Sequence, residues 1–77
     1  MTFTKKTLVE YLNKYHGADY TKAKIKRDYI GGSTISLFRP GDHIPFIEDV
    51  VTPSVLAHDM GFRDGRINAA GEFEVDE

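Results

Sequence analysis

Four positive side chains crowd one short stretch of this chain: Lys22, Lys24, Lys26 and Arg27, flanked by Tyr20 and Tyr29. Cations that alternate along one face of a strand can track phosphates, and neighbouring tyrosines can stack on bases. Four phosphate contacts would give a salt slope of about −3.6, enough for weak binding rather than tight recognition. The competing reading is structural: lysines on a solvated or edge strand keep it from pairing with other chains. A sequence pI near 5.9 favours that second reading, because nucleic-acid binders usually carry a basic excess.

A second group is acidic. Asp42, Glu48 and Asp49 lie in one segment, and Glu72, Glu74 and Asp76 alternate near the C-terminal end with Phe73 and Val75 between them. On a strand those three carboxylates share one face, about 6.6 Å apart, comparable to the spacing of phosphates along a nucleic-acid strand. Such a row could occupy the nucleic-acid site of a basic protein, as a DNA mimic does. An ordinary acidic surface is the plain alternative.

Catalytic and metal chemistry find less support. His16 lies near Asp19, and Asp42–His43 and His58–Asp59 are adjacent pairs. Adjacent side chains diverge on helix and strand alike, so these pairs are not chelates. Ser33, Ser36 and Ser54 lack a nucleophile signature, and Gly31–Gly32 is too short to cradle phosphates. A chain this small is also expected to leave little room for a ligand pocket of ~300 Å³. No metal or other cofactor is expected.

Charge is divided along the chain. Residues 1–40 carry eight Lys or Arg against three Asp or Glu, a balance of +5; residues 41–77 carry two against nine, a balance of −7. The halves either neutralise each other in the fold or present separate faces. With no cysteine among 77 residues, neither a disulfide nor a thiolate is available, so stability must come from the core or from association. No apolar run approaches the ~20 residues that span a bilayer, and the N-terminal stretch lacks a signal-peptide pattern. The cytoplasm is the expected compartment.

The elements that must position these residues are legible in part. Residues Thr2–Tyr15 read as an amphipathic helix with Leu8, Tyr11, Leu12 and Tyr15 toward the core. Thr4 is its N-cap, with Phe3 and Leu8 as a hydrophobic staple; Thr7 with Glu10 is an alternative start, and Gly17 the stop. Tyr20–Ile30 fits a strand with Ala23, Ile25 and Tyr29 on one face better than it fits a helix. Gly31–Gly32 predicts a tight hairpin into a second strand carrying Ile35 and Leu37. Residues 39–42 read as a turn, and His43–Val51 as a third, edge strand containing Pro45.

Thr52–Pro53 opens a second helix to Met60, stopped by Gly61, with Phe62 folding back onto its last turn. Asp64–Gly65 reads as a turn, followed by a closing hairpin with Ile67, Phe73 and Val75 inward. The expected fold is a single α+β domain over residues 1–77. An N-terminal helix packs on a three-stranded antiparallel meander, joined by a short second helix and a C-terminal hairpin. Ile44, Phe46 and Val50 make the third strand apolar enough to predict a homodimer through that edge.

The pattern therefore predicts a non-enzymatic regulatory or inhibitory protein that docks on a macromolecular partner. Its acidic residues Asp42, Glu48, Asp49, Glu72, Glu74 and Asp76 would face a basic surface, with DNA mimicry as one form. The alternative is a small nucleic-acid-binding module built on Tyr20, Lys22, Lys24, Lys26 and Arg27.

Overall fold

A computed structural model describes residues 1–27, 32–41 and 47–77, with the side chains of residues 47 and 48 left aside. The elements run β1 (Thr2–Phe3), α1 (Lys5–Tyr15), β2 (Lys22–Lys26), β3 (Thr34–Arg39), β4 (Ile47–Val51), α2 (Pro53–Asp59), β5 (Asp64–Ile67) and β6 (Phe73–Asp76). They form two antiparallel three-stranded sheets, in the orders β1-β6-β5 and β2-β3-β4. This is an α+β fold, with α1 packed chiefly on β2 and α2 on β5. Among the described residues no helix is long and apolar enough to cross a membrane.

The start of α1 follows from two side chains. Thr4 keeps an extended backbone, and its hydroxyl accepts from the Thr7 amide at 3.2 Å while the Thr4 amide donates to Thr7 Oγ1 at 2.8 Å. Two amides at the helix start are thereby satisfied reciprocally, with Thr4 as the cap and Thr7 as the second member of the box, so the alternative start at Thr7 with Glu10 is not used. The expected helix from Thr2 is corrected: Thr2 and Phe3 are a strand, paired with Glu74 and Phe73 of β6. That pairing lets Phe3 lie stacked on Phe73 at 5.9 Å, which a helical start would not reach. Leu8 and Leu12 are buried as expected, but Tyr15 is 61% exposed. Its ring leans on Tyr11 at 4.7 Å, beyond the edge of the core.

The β2–β3 register pairs Ala23 with Leu37 and Ile25 with Ile35. A tight turn at Gly31–Gly32 would have shifted the register by an odd number, placing Ile35 and Leu37 opposite Asp28 and Lys26. Burying Ile35 and Leu37, at 0% and 2% exposure, decides against it. The described pairing runs from Lys22–Phe38 to Lys26–Thr34, a register that a two-residue turn at Gly31–Gly32 does not give. Residues 28–31, Tyr29 and Gly31 among them, lie outside the described residues, as does the 42–46 part of the predicted third strand.

The second helix closes as the sequence predicts. Thr52 accepts from the Val55 amide, Pro53 takes the first helical position, and Gly61 has a φ of +92°. The Phe62 amide returns to the Ala57 carbonyl at 2.9 Å and the Gly61 amide to His58 at 3.0 Å, the two bonds of a Schellman stop. The turn predicted at Asp64–Gly65 is instead the start of β5. Gly65 is buried there because α2 crosses directly over it: a Cβ would sit 2.6 Å from Ala57 Cβ, 2.8 Å from the Pro53 carbonyl oxygen and 2.9 Å from the Phe73 ring.

One shared core joins both sheets and both helices: Phe3, Phe73 and Val75 from one sheet, Ala23, Ile35 and Leu37 from the other, with Leu8, Leu12, Leu56, Ala57 and Met60 between. Gly65→Ala must push α2 off β5, and a loss of about 1–3 kcal/mol is expected. Urea unfolding followed by circular dichroism measures it; an unchanged midpoint would show that the close approach is not needed.

Candidate binding surfaces

In each sheet one face is spent on the core, and the other carries the charge. On β2 the exposed residues Lys22, Lys24 and Lys26 alternate with buried Ala23 and half-buried Ile25. Across the ladder they stand beside Phe38, Ser36 and Thr34 of β3. The Lys22 ammonium lies 4.8 Å from the Phe38 ring centroid and that of Lys24 5.7 Å, close enough for cation–π attraction. Phe38 thus gathers two cations that would otherwise repel, a role the sequence reading missed because it follows from cross-strand register. On β4, Val50 faces the same way, opposite Ser36, and is 56% exposed.

The other members of the expected basic set point elsewhere. The Arg27 guanidinium donates to the Ala69 carbonyl at 3.3 Å, bridging to the β5–β6 connection. Tyr20 is half-buried on the inner side, where its hydroxyl donates to Asp49 at 3.5 Å. Burial, and next the Asp49 carboxylate, raise the pKa of that phenol. The Asn13 side chain fixes this segment by donating to the Tyr20 carbonyl and accepting from its amide, each at 2.9 Å. Both backbone groups just before β2 are therefore satisfied by α1, which sets where the lysine strand begins.

The acidic residues divide between the sheets. Asp49 pairs with Arg39 at 3.4 Å beside Tyr20, away from the C-terminal hairpin. Glu74 and Asp76 lie on the outward face of β6, while Phe73 and Val75 are buried. Arg66, opposite Glu74 in the register, reaches both: its Nε lies 3.6 Å from Glu74 and a terminal nitrogen 2.9 Å from Asp76. Asp64 faces Asp76 across the strands. Its pKa is lowered, first by the Gly65 amide donating at 2.8 Å, then by the Ser54 hydroxyl and the charges of Arg66 and His58. Glu72 precedes β6, half-buried, its amide held by Asn68 at 3.0 Å.

Of the three carboxylates foreseen from alternation, Glu74 and Asp76 share the outward face of β6 with a guanidinium beside them, and Glu72 precedes the strand. Arg66 could have been found by pairing the hairpin strands. Asp42, Ile44 and Phe46 lie outside the described residues, and of Glu48 only its register position opposite Phe38 is described. Among the described residues, no three of His, Asp and Glu come together to hold a metal ion. His58 Nε2 lies 2.8 Å from the Arg63 carbonyl oxygen, so that nitrogen donates. His43 is outside the described residues, and His16 caps α1 with its ring 5.8 Å from Tyr11.

Two surface grooves are also present, larger than the small chain was expected to leave. One, of about 310 Å³, lies between β1 and α1 against Tyr11 and Tyr15; the other, of about 380 Å³, runs between the sheets past Ser33, Ser54 and Arg66. Compared with known protein families, with curated proteins and with solved structures, the chain matches none of them.

Two consequences can be measured. Removing the guanidinium with Arg66→Gln leaves neighbouring carboxylates to repel, and an exposed pair of this kind is worth about 0.2–1 kcal/mol. The loss in urea unfolding is expected to shrink as salt rises; a salt-independent loss would contradict an electrostatic role. For Asp64, a folded pKa below the unfolded value contributes stability above the ordinary carboxylate pKa of about 3.9, lost as pH falls through the lowered value. Asp64→Asn is therefore expected to lower the melting temperature at neutral pH and to match the parent chain once both are fully protonated.

Proposed function

We propose that this chain is a small non-enzymatic binding protein, cytoplasmic, whose working surface is the outward face of β2-β3-β4, and that its partner is nucleic acid. One observation carries the reading. Every ion pair among the described residues is made by Arg39 or Arg66, and no carboxylate among those residues lies within pairing distance of Lys24 or Lys26. Exposed ammoniums held in register, with no carboxylate assigned to them, are the groups a phosphate backbone would find first. Two such contacts give a salt slope of about −1.8, so binding is modest and weakened by salt.

A second reading has its own support: Asp64, Glu72, Glu74 and Asp76 stand on or beside the outward face of the β5–β6 hairpin around one arginine. That surface would suit a basic protein partner, as an inhibitor that takes the place of nucleic acid, with a homodimer as one way to double it. Changing Glu72, Glu74 and Asp76 to Lys separates the readings, because it removes docking on a basic protein and leaves nucleic-acid binding intact.

The first reading is tested by fluorescence anisotropy with labelled DNA and RNA oligonucleotides between about 50 and 200 mM salt. Lys24→Glu with Lys26→Glu is expected to abolish the signal while circular dichroism stays unchanged. Binding that survives in that double variant, or no binding by the parent chain at the lowest salt, would sink the proposal.

A further inference from the structure

Resting on that reading, we infer that the nucleic acid bound is a single strand, lying along β2 with its bases turned across β3 toward β4. The register supplies the argument. Lys24, Ser36 and Val50 form one transverse row, one residue from each strand, all on the outward face. Adjacent strands lie about 4.8 Å apart, so the row spans about 9.6 Å. Along it the chemistry changes in order: an exposed ammonium on β2, a half-buried hydroxyl on β3, an exposed apolar side chain on β4.

A nucleotide changes the same way across its width, from phosphate through sugar to base. An ammonium on one edge places the phosphate; a hydroxyl in the middle can bond sugar or base-edge atoms; an exposed valine meets the base where water gains least. The cationic line follows a single edge, because Lys22, Lys24 and Lys26 all belong to β2. A duplex presents two phosphate rows across a groove of about 12 Å, and the second would fall beyond β4, which carries Glu48 and Asp49 and no cation. One row of cations, with a hydroxyl and an apolar side chain beside Lys24 in the Ser36 and Val50 positions, fits one backbone with splayed bases. Phe38, half-buried on the same face between the lysines, brings a ring to the middle of the platform.

The test compares three probes of equal length, about twelve nucleotides, within the span such sites cover: oligothymidylate, an abasic deoxyribose-phosphate oligomer, and a duplex. Affinities are read by anisotropy at about 50 mM salt. Oligothymidylate is expected to bind about tenfold tighter than the abasic strand, the ratio that one stacked base supplies, and tighter than the duplex. Val50→Asn, a neutral change at an exposed position, is expected to reduce that ratio severalfold without altering abasic binding. Equal affinity for all three probes, or a ratio untouched by Val50→Asn, would overturn the single-strand inference while leaving the lysine reading in place. No binding of any probe would remove both.

Discussion

The fold depends on one close approach, that of α2 to β5 at Gly65. The absence of a side chain there lets Ala57 and the Pro53 carbonyl come within reach of the strand, and the Phe73 ring fills the space alongside. Phe73 is 0% exposed and stacks on Phe3, so the same contact that seats α2 also seats β1. The hairpin, the second helix and the first strand are thus tied at one point. In a chain with no disulfide this packing must replace a covalent staple, which is why a single methyl group at residue 65 matters.

From that core follows the division of charge. Six short strands arranged as two sheets around one shared interior leave two outward faces, and strand alternation fixes which residues occupy them. On β2 those positions are lysines; on β6 they are Glu74 and Asp76. Of the ion pairs among the described residues only Arg39–Asp49 joins the basic first part of the chain to the acidic second, and it lies within a single sheet. Lys24 and Lys26 therefore stand on one sheet and Glu74 and Asp76 on the other, while Asp49 of the acidic block lies in the lysine sheet with Arg39.

What was legible in the sequence was local. The Thr4 cap, the Thr52–Pro53 start and the Gly61–Phe62 stop each depend on residues within a few positions of one another, and each forms as read. The strand alternation of Lys22–Lys26 was legible for the same reason. The misreadings were of non-local events. Thr2 and Phe3 look like the lead-in to a helix until β6 arrives from the other end of the chain. Asp64–Gly65 looks like a turn until α2 needs a strand without a side chain. Arg66 is one more surface cation in sequence and becomes the centre of the acidic hairpin only through its register with Glu74. The candidate surfaces were half legible: their charges could be counted, their partners could not.

Net charge is a poor guide to either face. At physiological ionic strength the Debye length is about 8 Å, less than the molecule's smallest dimension of 18 Å. A phosphate lying along β2 therefore responds mainly to the lysines beside it, and the carboxylates of the hairpin, on another sheet, are largely screened. Near 0.01 M salt the screening length grows to about 30 Å, comparable to the whole molecule, and the overall balance of −2 begins to oppose an anion. Lowering salt thus strengthens the local attraction and restores the distant repulsion together. The acidic composition is in that sense compatible with a basic face, and the hairpin carboxylates limit how far an anionic partner is drawn to the rest of the surface.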